Sequence, residues 1–178
     1  MSTPRKPRIV VKNSRIHGRG VYAARRLKAG ENIIEYKGER IRWKEADRRP
    51  PSDPDDPFHT FFFSLDDQKT VIDASVGGNA ARWINHSCDP NCETEETDDG
   101  RLFIQALRDI RAGEELNYDY SLTIEERLTA TLKKNYECRC GSKNCRGTML
   151  GLSKRQIASA AKAKKKSRPK KRVIGRSE

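Results

Sequence analysis

The stretch R-W-I-N-H-S-C-D-P-N-C, residues 82–92, packs two amides, an imidazole, a hydroxyl and two thiols into eleven positions. It lies between two predicted β-hairpins, in which strand 60–65 pairs with 70–73 and strand 92–97 pairs with 101–107. Polar side chains at this density usually orient a ligand or bind backbone groups rather than fill a core. Nucleophilic Cys–His catalysis is a second interpretation, although neighbours in sequence rarely face each other as that pair must.

A second polar stretch, C-R-C-G-S-K-N-C-R-G at residues 138–147, holds three of the five cysteines. Thiols at C-x-C-x4-C spacing can ligate one tetrahedral Zn²⁺, and a closed structural site needs a fourth ligand from elsewhere. Cys88, Cys92 or a histidine could supply it, and the alternative is a loop with chance cysteines. An odd cysteine count without a secretory signal favours metal ligands or buried thiols over disulfides. Bound metal would hold this segment against the body and contribute to its folding.

Two further motifs contain residues that could bind a ligand or take part in chemistry. In I-H-G-R-G-V-Y, residues 16–22, the glycines lack the third glycine and the following helix of a dinucleotide fingerprint. They are better explained as positions where backbone atoms approach a ligand closely. In G-E-E-L-N-Y-D-Y, residues 113–120, two tyrosines share one face of a predicted strand, which by itself is more typical of core packing.

The rest of the pattern predicts short strands separated by turns, with few helices. Four prolines between positions 50 and 57 exclude regular structure from the loop 48–57. Capping-box spacing in T-I-E-E predicts a helix over 123–135. The other predicted elements are strands 9–12, 20–24, 32–36 and 116–120 and a short helix over 42–47.

The basic charge of this 178-residue chain is concentrated at one end. Of the formal net charge of +12, residues 151–178 contribute +10, from 11 Lys or Arg and one acid, and this composition predicts disorder. The length suits one compact domain with appendages. No apolar run approaches the roughly 18 residues of a membrane helix, and the N-terminus lacks the features of a secretory signal. We therefore expect an intracellular protein with no membrane partner.

The order of the four motifs resembles that of a SET-domain protein lysine methyltransferase with a post-SET zinc segment, over about residues 9–150. The resemblance implies a mainly β fold of small sheets, with a knot-like C-terminal threading and few short helices. The small size, without a preceding cysteine-rich segment, is similar to stand-alone bacterial SET proteins. The expected organisation is a basic arm over 1–8, a SET domain over 9–122, a helix and post-SET zinc segment over 123–150, and a disordered basic tail over 151–178.

The same resemblance implies two bound groups, S-adenosylmethionine (SAM) as methyl donor and one structural Zn²⁺. The four zinc ligands by match are Cys88, Cys138, Cys140 and Cys145, which leaves Cys92 as a free thiol. The residues that would contact the cofactor are His17, Gly18, Arg19, Gly20, Asn85, His86 and Arg139. Phe61 is assigned to the same pocket, where it matches the position at which many relatives have a tyrosine lining the lysine channel.

The resemblance also implies catalytic roles for two tyrosines. Tyr120 matches the active-site tyrosine, whose hydroxyl helps to orient the target amine. Tyr118 matches the position where tyrosine or phenylalanine sets how many methyl groups fit, and a tyrosine there predicts a monomethylated or at most dimethylated product. Methyl transfer to an amine is an in-line displacement, so positioning and desolvation carry most of the catalysis.

The distribution of charged residues along the chain suggests which molecules the protein binds. Acidic clusters in the loop 53–56 and the hairpin 93–99 could attract a basic substrate, such as a histone or a histone-like nucleoid protein. The tail 162–172 could bind nucleic acid through phosphates, act as a nuclear localisation signal, serve as a substrate of its own active site, or remain solvated. The expected location is the cytoplasm or nucleoid of a bacterium, or the nucleus and chromatin of a eukaryote.

Two other classes of function compete with the enzyme. A non-enzymatic DNA-associated or histone-tail-binding protein could use the same zinc-stabilised scaffold, but it would not need both tyrosines and the N-H motif. A zinc hydrolase needs an open metal position with bound water. Four available thiols and the absence of H-E-x-x-H favour a closed structural site instead.

Overall fold

The computed structural model describes residues 7–56, 58–123 and 128–151. Within them the chain forms ten short strands, two short helices and one 3-10 turn, so the predicted mainly β class is confirmed. The strands are β1 (Ile9–Asn13), β2 (Arg19–Ala23), β3 (Asn32–Glu35), β4 (Glu39–Arg42), β5 (Phe62–Ser64), β6 (Thr70–Asp73), β7 (Asn85–His86), β8 (Cys92–Glu96), β9 (Leu102–Ala106) and β10 (Asn117–Tyr118). The helices are α1 (Trp43–Ala46) and α2 (Ala130–Asn135), and the 3-10 turn is Ala80–Trp83.

The strands assemble into four small sheets. Three are antiparallel, β1–β2, β3–β9–β8 and β4–β6–β5. The fourth is the parallel pair β7–β10, in which Asn117 lies beside Asn85 and Tyr118 beside His86. Two motifs about thirty residues apart in sequence, N-H-S-C and Y-D-Y, therefore meet side by side.

The sheets share one hydrophobic core, into which the strands direct alternate apolar side chains. In β9, Leu102, Ile104 and Ala106 are buried while the residues between them are only partly so, as expected for a strand with one face on the core. Leu27 and Ile84 are fully buried in the same cluster. Burial of this apolar surface fixes the short strands that would be marginal alone.

The predicted helix over 123–135 is found only in its last part among the described residues. Residues 124–127 lie outside the described part, residues 128 and 129 are not helical, and α2 begins after Thr129, whose hydroxyl accepts a hydrogen bond of 3.1 Å from the backbone N–H of Leu132. Just before the capping box, Leu122 pairs with Leu150, which holds the chain extended at that point.

Several predictions fall on residues that are not described. The basic arm, apart from residues 7 and 8, and the basic tail from 152 onward lie outside the described part, and the domain boundaries stay predictions. Among the described residues, none belongs to a helix long and apolar enough to cross a bilayer.

Candidate functional site

A cavity of about 140 Å³ lies between segments that are distant in sequence. Its wall comes from the loop before β2, the proline-rich loop, β7, and α2 with the chain that follows it. Five residues singled out from the sequence meet there: His17, Asn85, His86, Tyr120 and Arg139. The others singled out as catalytic or cofactor-binding fall outside the cavity wall, namely Gly18, Arg19, Gly20, Phe61 and Tyr118.

Contacts within the protein explain the shape of the H-G-R-G turn. Gly18 has φ +44°, in the left-handed region that glycine adopts without strain. A Cβ on Gly20 would lie 2.3 Å from Oε1 of Glu115, so the missing side chain makes room for this carboxylate. The exposed Arg19 guanidinium lies 5.2 Å from the centroid of the Trp83 ring. The structure thus gives Gly20 a packing role within the chain.

Glu115 is a functional candidate that the sequence reasoning missed. Its carboxylate accepts hydrogen bonds from the hydroxyls of Ser14 (2.6 Å) and Tyr22 (3.0 Å) and from Nδ2 of Asn85 (3.0 Å). The same Asn85 amide also donates to the carbonyl of Arg19 at 2.9 Å. One carboxylate therefore ties the H-G-R-G turn to β7. Its only sequence signal is the second glutamate of G-E-E-L.

We expect Glu115→Ala to lower the free energy of unfolding by about 2 kcal/mol, because three partly buried donors lose a charged acceptor. Glu115→Gln should cost less than about 1 kcal/mol, since an amide oxygen can still accept from Ser14 and Asn85. Denaturant unfolding of the two variants measures the difference. Equal losses in both would show that the carboxylate is not what holds this turn.

His86 links the cavity to a cysteine. Its Nδ1 accepts a hydrogen bond of 3.0 Å from the backbone N–H of Tyr120, so the proton of the neutral ring sits on Nε2. Nε2 in turn lies 3.4 Å from Sγ of Cys88. Burial lowers the pKa of His86 to about 4, against the opposing effect of the Asp119 carboxylate. The imidazole is therefore neutral at physiological pH, and its tautomer is fixed by the backbone.

Two phenol rings lie together at the cavity, where Tyr120 lines the wall and Tyr118 lies behind it. The hydroxyl of Tyr120 donates to the carbonyl of Ile84 at 2.7 Å, and its ring centroid lies 4.8 Å from that of Tyr118. Tyr118 is 7% exposed and also contacts Phe63, with centroids 6.3 Å apart. Burial raises the pKa of both tyrosines above the ordinary value, so both hydroxyls stay protonated. This pair therefore contributes aromatic surface and uncharged hydroxyls.

The proline-rich loop contributes more to the site than its composition suggested. His59 packs between the rings of His17 and Phe61, at centroid distances of 5.0 Å each, and it lines the cavity. Asp56 also lines the cavity, and its carboxylate lies 3.8 Å from Nε2 of His17. Phe61 reaches Trp83 in an edge-to-face contact at 5.1 Å. The turn carrying His17 and the loop carrying His59 thus form one wall.

Four thiols converge next to His86. The ligand atoms of this cysteine cluster lie within 4.8 Å of one another, and its members are Cys88, Cys138, Cys140 and Cys145. Burial opposes ionisation of Cys140, yet hydrogen bonding, chiefly with Ser142, lowers its pKa to about 6. Four sulfurs at this spacing could hold one metal ion in a closed site. Cys92 lies outside the cluster and is fully buried, and burial raises its pKa to about 12.

Arg146 joins the cysteine cluster to the Y-D-Y motif. Its guanidinium makes two hydrogen bonds to the Asp119 carboxylate, of 2.5 and 2.8 Å, and its backbone N–H donates to Sγ of Cys88 at 3.3 Å. Burial opposes ionisation of Asp119, but Arg146 outweighs it and keeps the pKa of that carboxyl low. A charge-assisted fork of this kind fixes orientation as well as distance. Arg146 therefore fixes the position of Asp119, the residue before Tyr120, relative to the cysteine cluster.

Comparison with known proteins assigns the fold. Residues 18–121 match the SET domain, which is more than half of the chain, and the chain therefore belongs to the SET-domain family. Histone-lysine N-methyltransferase trithorax of Drosophila virilis is 42% identical over 144 residues, covering 79% of this chain and 4% of that protein. Histone-lysine N-methyltransferase 2B of Homo sapiens is 42% identical over 144 residues, covering 79% of this chain and 5% of that protein.

A yeast relative gives a similar match. The "Histone-lysine N-methyltransferase, H3 lysine-4 specific" of Saccharomyces cerevisiae is 41% identical over 146 residues, covering 80% of this chain and 13% of that protein. The chain thus spans only 4% to 13% of the length of these relatives. All three are eukaryotic, so they do not support the expected similarity to stand-alone bacterial proteins.

Proposed function

We propose that this chain is a SAM-dependent protein-lysine N-methyltransferase whose substrate is a basic protein such as a histone. The observation that carries the proposal is the meeting of His17, Asn85, His86 and Tyr120 in one cavity, where the Tyr120 ring contacts the buried ring of Tyr118. Membership of the SET-domain family and the names of the three relatives support the same reaction.

The cavity residues suit a cationic amino-acid cofactor. SAM would supply an electrophilic methyl group on a sulfonium sulfur. The Asn85 amide nitrogen is committed to the turn and to Glu115, so its Oδ1 is the atom left to accept from an ammonium group. Arg139 and Glu137 reach the cavity from the chain that carries the cysteines, so this segment would close over a bound cofactor. Gly18, Arg19 and Gly20 would act through the backbone of the turn.

The target lysine must lose its proton before it can attack, since an amine of pKa about 10.4 is charged in water. The uncharged aromatic region around Tyr118 favours the neutral amine, because burial penalises the charged form. The Tyr120 hydroxyl donates its hydrogen bond to the carbonyl of Ile84, which leaves a lone pair of the phenol oxygen free to accept a hydrogen bond from the amine. Phe61 lies beside this region and offers packing without a hydroxyl.

The cysteine cluster suits one structural Zn²⁺. Cys88, Cys138, Cys140 and Cys145 would hold the metal with four thiolates, which would leave no position for a reactive water, so we assign the metal a folding role. The same argument disfavours a zinc hydrolase. Zinc would fix the segment that carries Arg139 at the mouth of the cavity.

A basic substrate such as a histone fits the charge of the loop beside the cavity. Asp53, Asp55 and Asp56 lie in this loop, whereas the cavity lining itself is balanced, with Asp56 and Glu137 against Lys134 and Arg139. The acids of the loop would attract a basic peptide. The relatives are named for histone lysines, and chromatin in a nucleus would then be the place of action. Nucleic-acid contact through the tail 162–172 stays a prediction.

Methyl transfer from radiolabelled SAM to a panel of histones, bacterial nucleoid proteins and the enzyme alone tests the function. Label on a panel protein would support the proposal and identify the substrate class, whereas label confined to the chain itself would indicate automethylation of the basic tail. Absence of label together with absence of SAM binding would overturn the proposal. The protein would then be better interpreted as a non-enzymatic histone- or DNA-binding scaffold.

Tyr118→Phe should raise the number of methyl groups added. The wild type is expected to give mainly monomethyl-lysine, because the buried Tyr118 hydroxyl occupies space, or holds a water, where an added methyl group would go. Phenylalanine frees that space, and dimethyl-lysine should rise at least about threefold, a difference of under 1 kcal/mol between competing transition states. Mass spectrometry of the product peptide measures this ratio. An unchanged ratio, or prompt trimethylation by the wild type, would contradict the assignment.

A further inference from the structure

Two adjacent turns outside the candidate site form a basic surface, here called the arginine face. Leu27 and Ile110 join the turns by backbone hydrogen bonds of 2.9 Å in both directions, and both side chains are fully buried. The turns are therefore fixed to the core and to each other. The cationic residues of the arginine face are Arg8, Arg25, Arg26, Lys28, Arg108 and Arg111.

Acidic residues within the arginine face hold most of these cations in place. Three acids stand against six cations, so the face keeps a net charge of +3. Ion pairing restricts four of the five arginines before any ligand arrives, which lowers the entropy lost on binding. The pairs are Glu31 with Arg8 and Arg25, Asp109 with Arg26, and Glu114 with Arg108.

Two cations of the arginine face lie outside these ion pairs. Within the described part of the chain, neither the Arg111 guanidinium nor the Lys28 ammonium takes part in an ion pair or a hydrogen bond. Arg26, Arg108 and Arg111 line a cavity of about 730 Å³ together with Asp109 and Glu114. Asp109 pairs with Arg26 and Glu114 with Arg108, so an anion entering the cavity would meet one guanidinium group, that of Arg111, that is not already in an ion pair within the described residues.

The excess of positive charge here is local. Residues 1–150 carry 26 basic and 24 acidic residues, so a net +3 on this face leaves the remainder of the body neutral to acidic. The proline loop and the β8–β9 hairpin hold much of that acid, as the residues Asp53, Asp55, Asp56, Glu93, Glu95, Glu96, Asp98 and Asp99. A ligand with dense negative charge would be steered toward the arginine face.

We propose that the arginine face binds the phosphate backbone of duplex nucleic acid, separately from the basic tail. Planar guanidinium groups match phosphate oxygens in a bidentate fashion. Among the described residues, the exposed aromatic side chains Trp43 and Phe58 lie outside the face, so it offers no platform for stacking single-stranded bases. It also lacks the aromatic anchors typical of a protein interface. This surface therefore suits contacts with the phosphate backbone of the nucleic acid and not with its bases.

The test uses the full chain with both unpaired cations removed, as the double variant Lys28→Gln, Arg111→Gln. Neither change breaks an ion pair, so folding should be unaffected and the melting temperature should stay that of the wild type. The matched control is Arg42→Gln, Lys44→Gln, which removes the same charge from exposed positions at the β4–α1 junction. Fluorescence anisotropy with a labelled duplex of about 20 base pairs gives Kd at several salt concentrations.

We expect Kd of the Lys28, Arg111 variant to rise roughly 10-fold at near-physiological salt, and the slope of log K against log salt to fall by about 1.8. The control should change the slope by less than about 0.5. An unchanged slope in the test variant, or an equal change in the control, would overturn the proposal, because the tail or the overall charge would then explain all binding. The proposal would also be overturned if the Lys28, Arg111 variant lost binding to a polyglutamate peptide but kept its binding to DNA. That result would indicate an acidic protein partner.

Discussion

Tyr120→Phe is expected to lower kcat for methyl transfer roughly 100-fold while changing the affinity for SAM by less than about threefold. The Tyr120 hydroxyl donates to the carbonyl of Ile84 at 2.7 Å, so its oxygen is held in one position as an acceptor for the target amine. Phenylalanine keeps the ring and its contact with Tyr118 but loses this acceptor. A misplaced amine slows an in-line displacement far more than it weakens cofactor binding. Steady-state kinetics and calorimetry with SAM separate the two quantities.

Tyr36→Phe is the matched control for this variant. Tyr36 is buried, and its hydroxyl, like that of Tyr120, donates to a backbone carbonyl, that of Phe61 at 3.1 Å, but Tyr36 does not line the cavity. Both variants should lose about 1 kcal/mol of unfolding free energy, the usual cost of one hydrogen bond. Only Tyr120→Phe should lose activity. A similar fall in kcat for both would mean that the loss comes from core packing and not from an acceptor at the reacting amine.

Local sequence patterns predicted the elements whose cause is local. The β8–β9 hairpin was expected at 92–97 and 101–107 and is found at Cys92–Glu96 and Leu102–Ala106, because alternation and the Asp-Asp-Gly turn lie within one short window. The start of α2 could not be read in this way. Thr123 and Thr129 both suit an N-cap by residue type, and local spacing does not single out Thr129, which caps α2 in the described part of the chain.

The candidate site shows the same division between what is local and what is distant. The motifs named five residues that line the cavity and three of the clustered cysteines, and the family resemblance supplied the fourth, Cys88. The partners that orient them could not be named. Glu115 meets Ser14 across 101 positions of sequence, and the Asp119–Arg146 fork and the loop residue His59 likewise depend on how remote segments pack. Such contacts leave no periodic or spacing signal.

Cys140→Ser should remove the bound metal and with it the folding of the last described segment. Within residues 128–151, Thr148 and Leu150 are the only buried side chains, so little apolar burial holds this part in place. The cysteine cluster supplies the missing stability, because it ties Cys88 to three thiols of the segment. Loss of one thiolate leaves an incomplete shell. We expect less than about 0.2 equivalents of zinc, against about one in the wild type.

Zinc content by plasma mass spectrometry, the melting temperature and SAM affinity together test this role. Metal loss should lower the melting temperature by about 5 °C or more, the shift expected for a loss of roughly 2 kcal/mol or more in a domain of this size. SAM affinity should fall at least about 10-fold, because Arg139, which lines the cavity, is carried between two of the thiols. Cys92→Ala is the control, since Cys92 lies outside the cluster and should keep full metal content whatever its effect on the core. If Cys140→Ser kept its zinc, or lost it with no change in melting temperature and SAM affinity, the cluster would not be the structural metal site that couples this segment to the cavity.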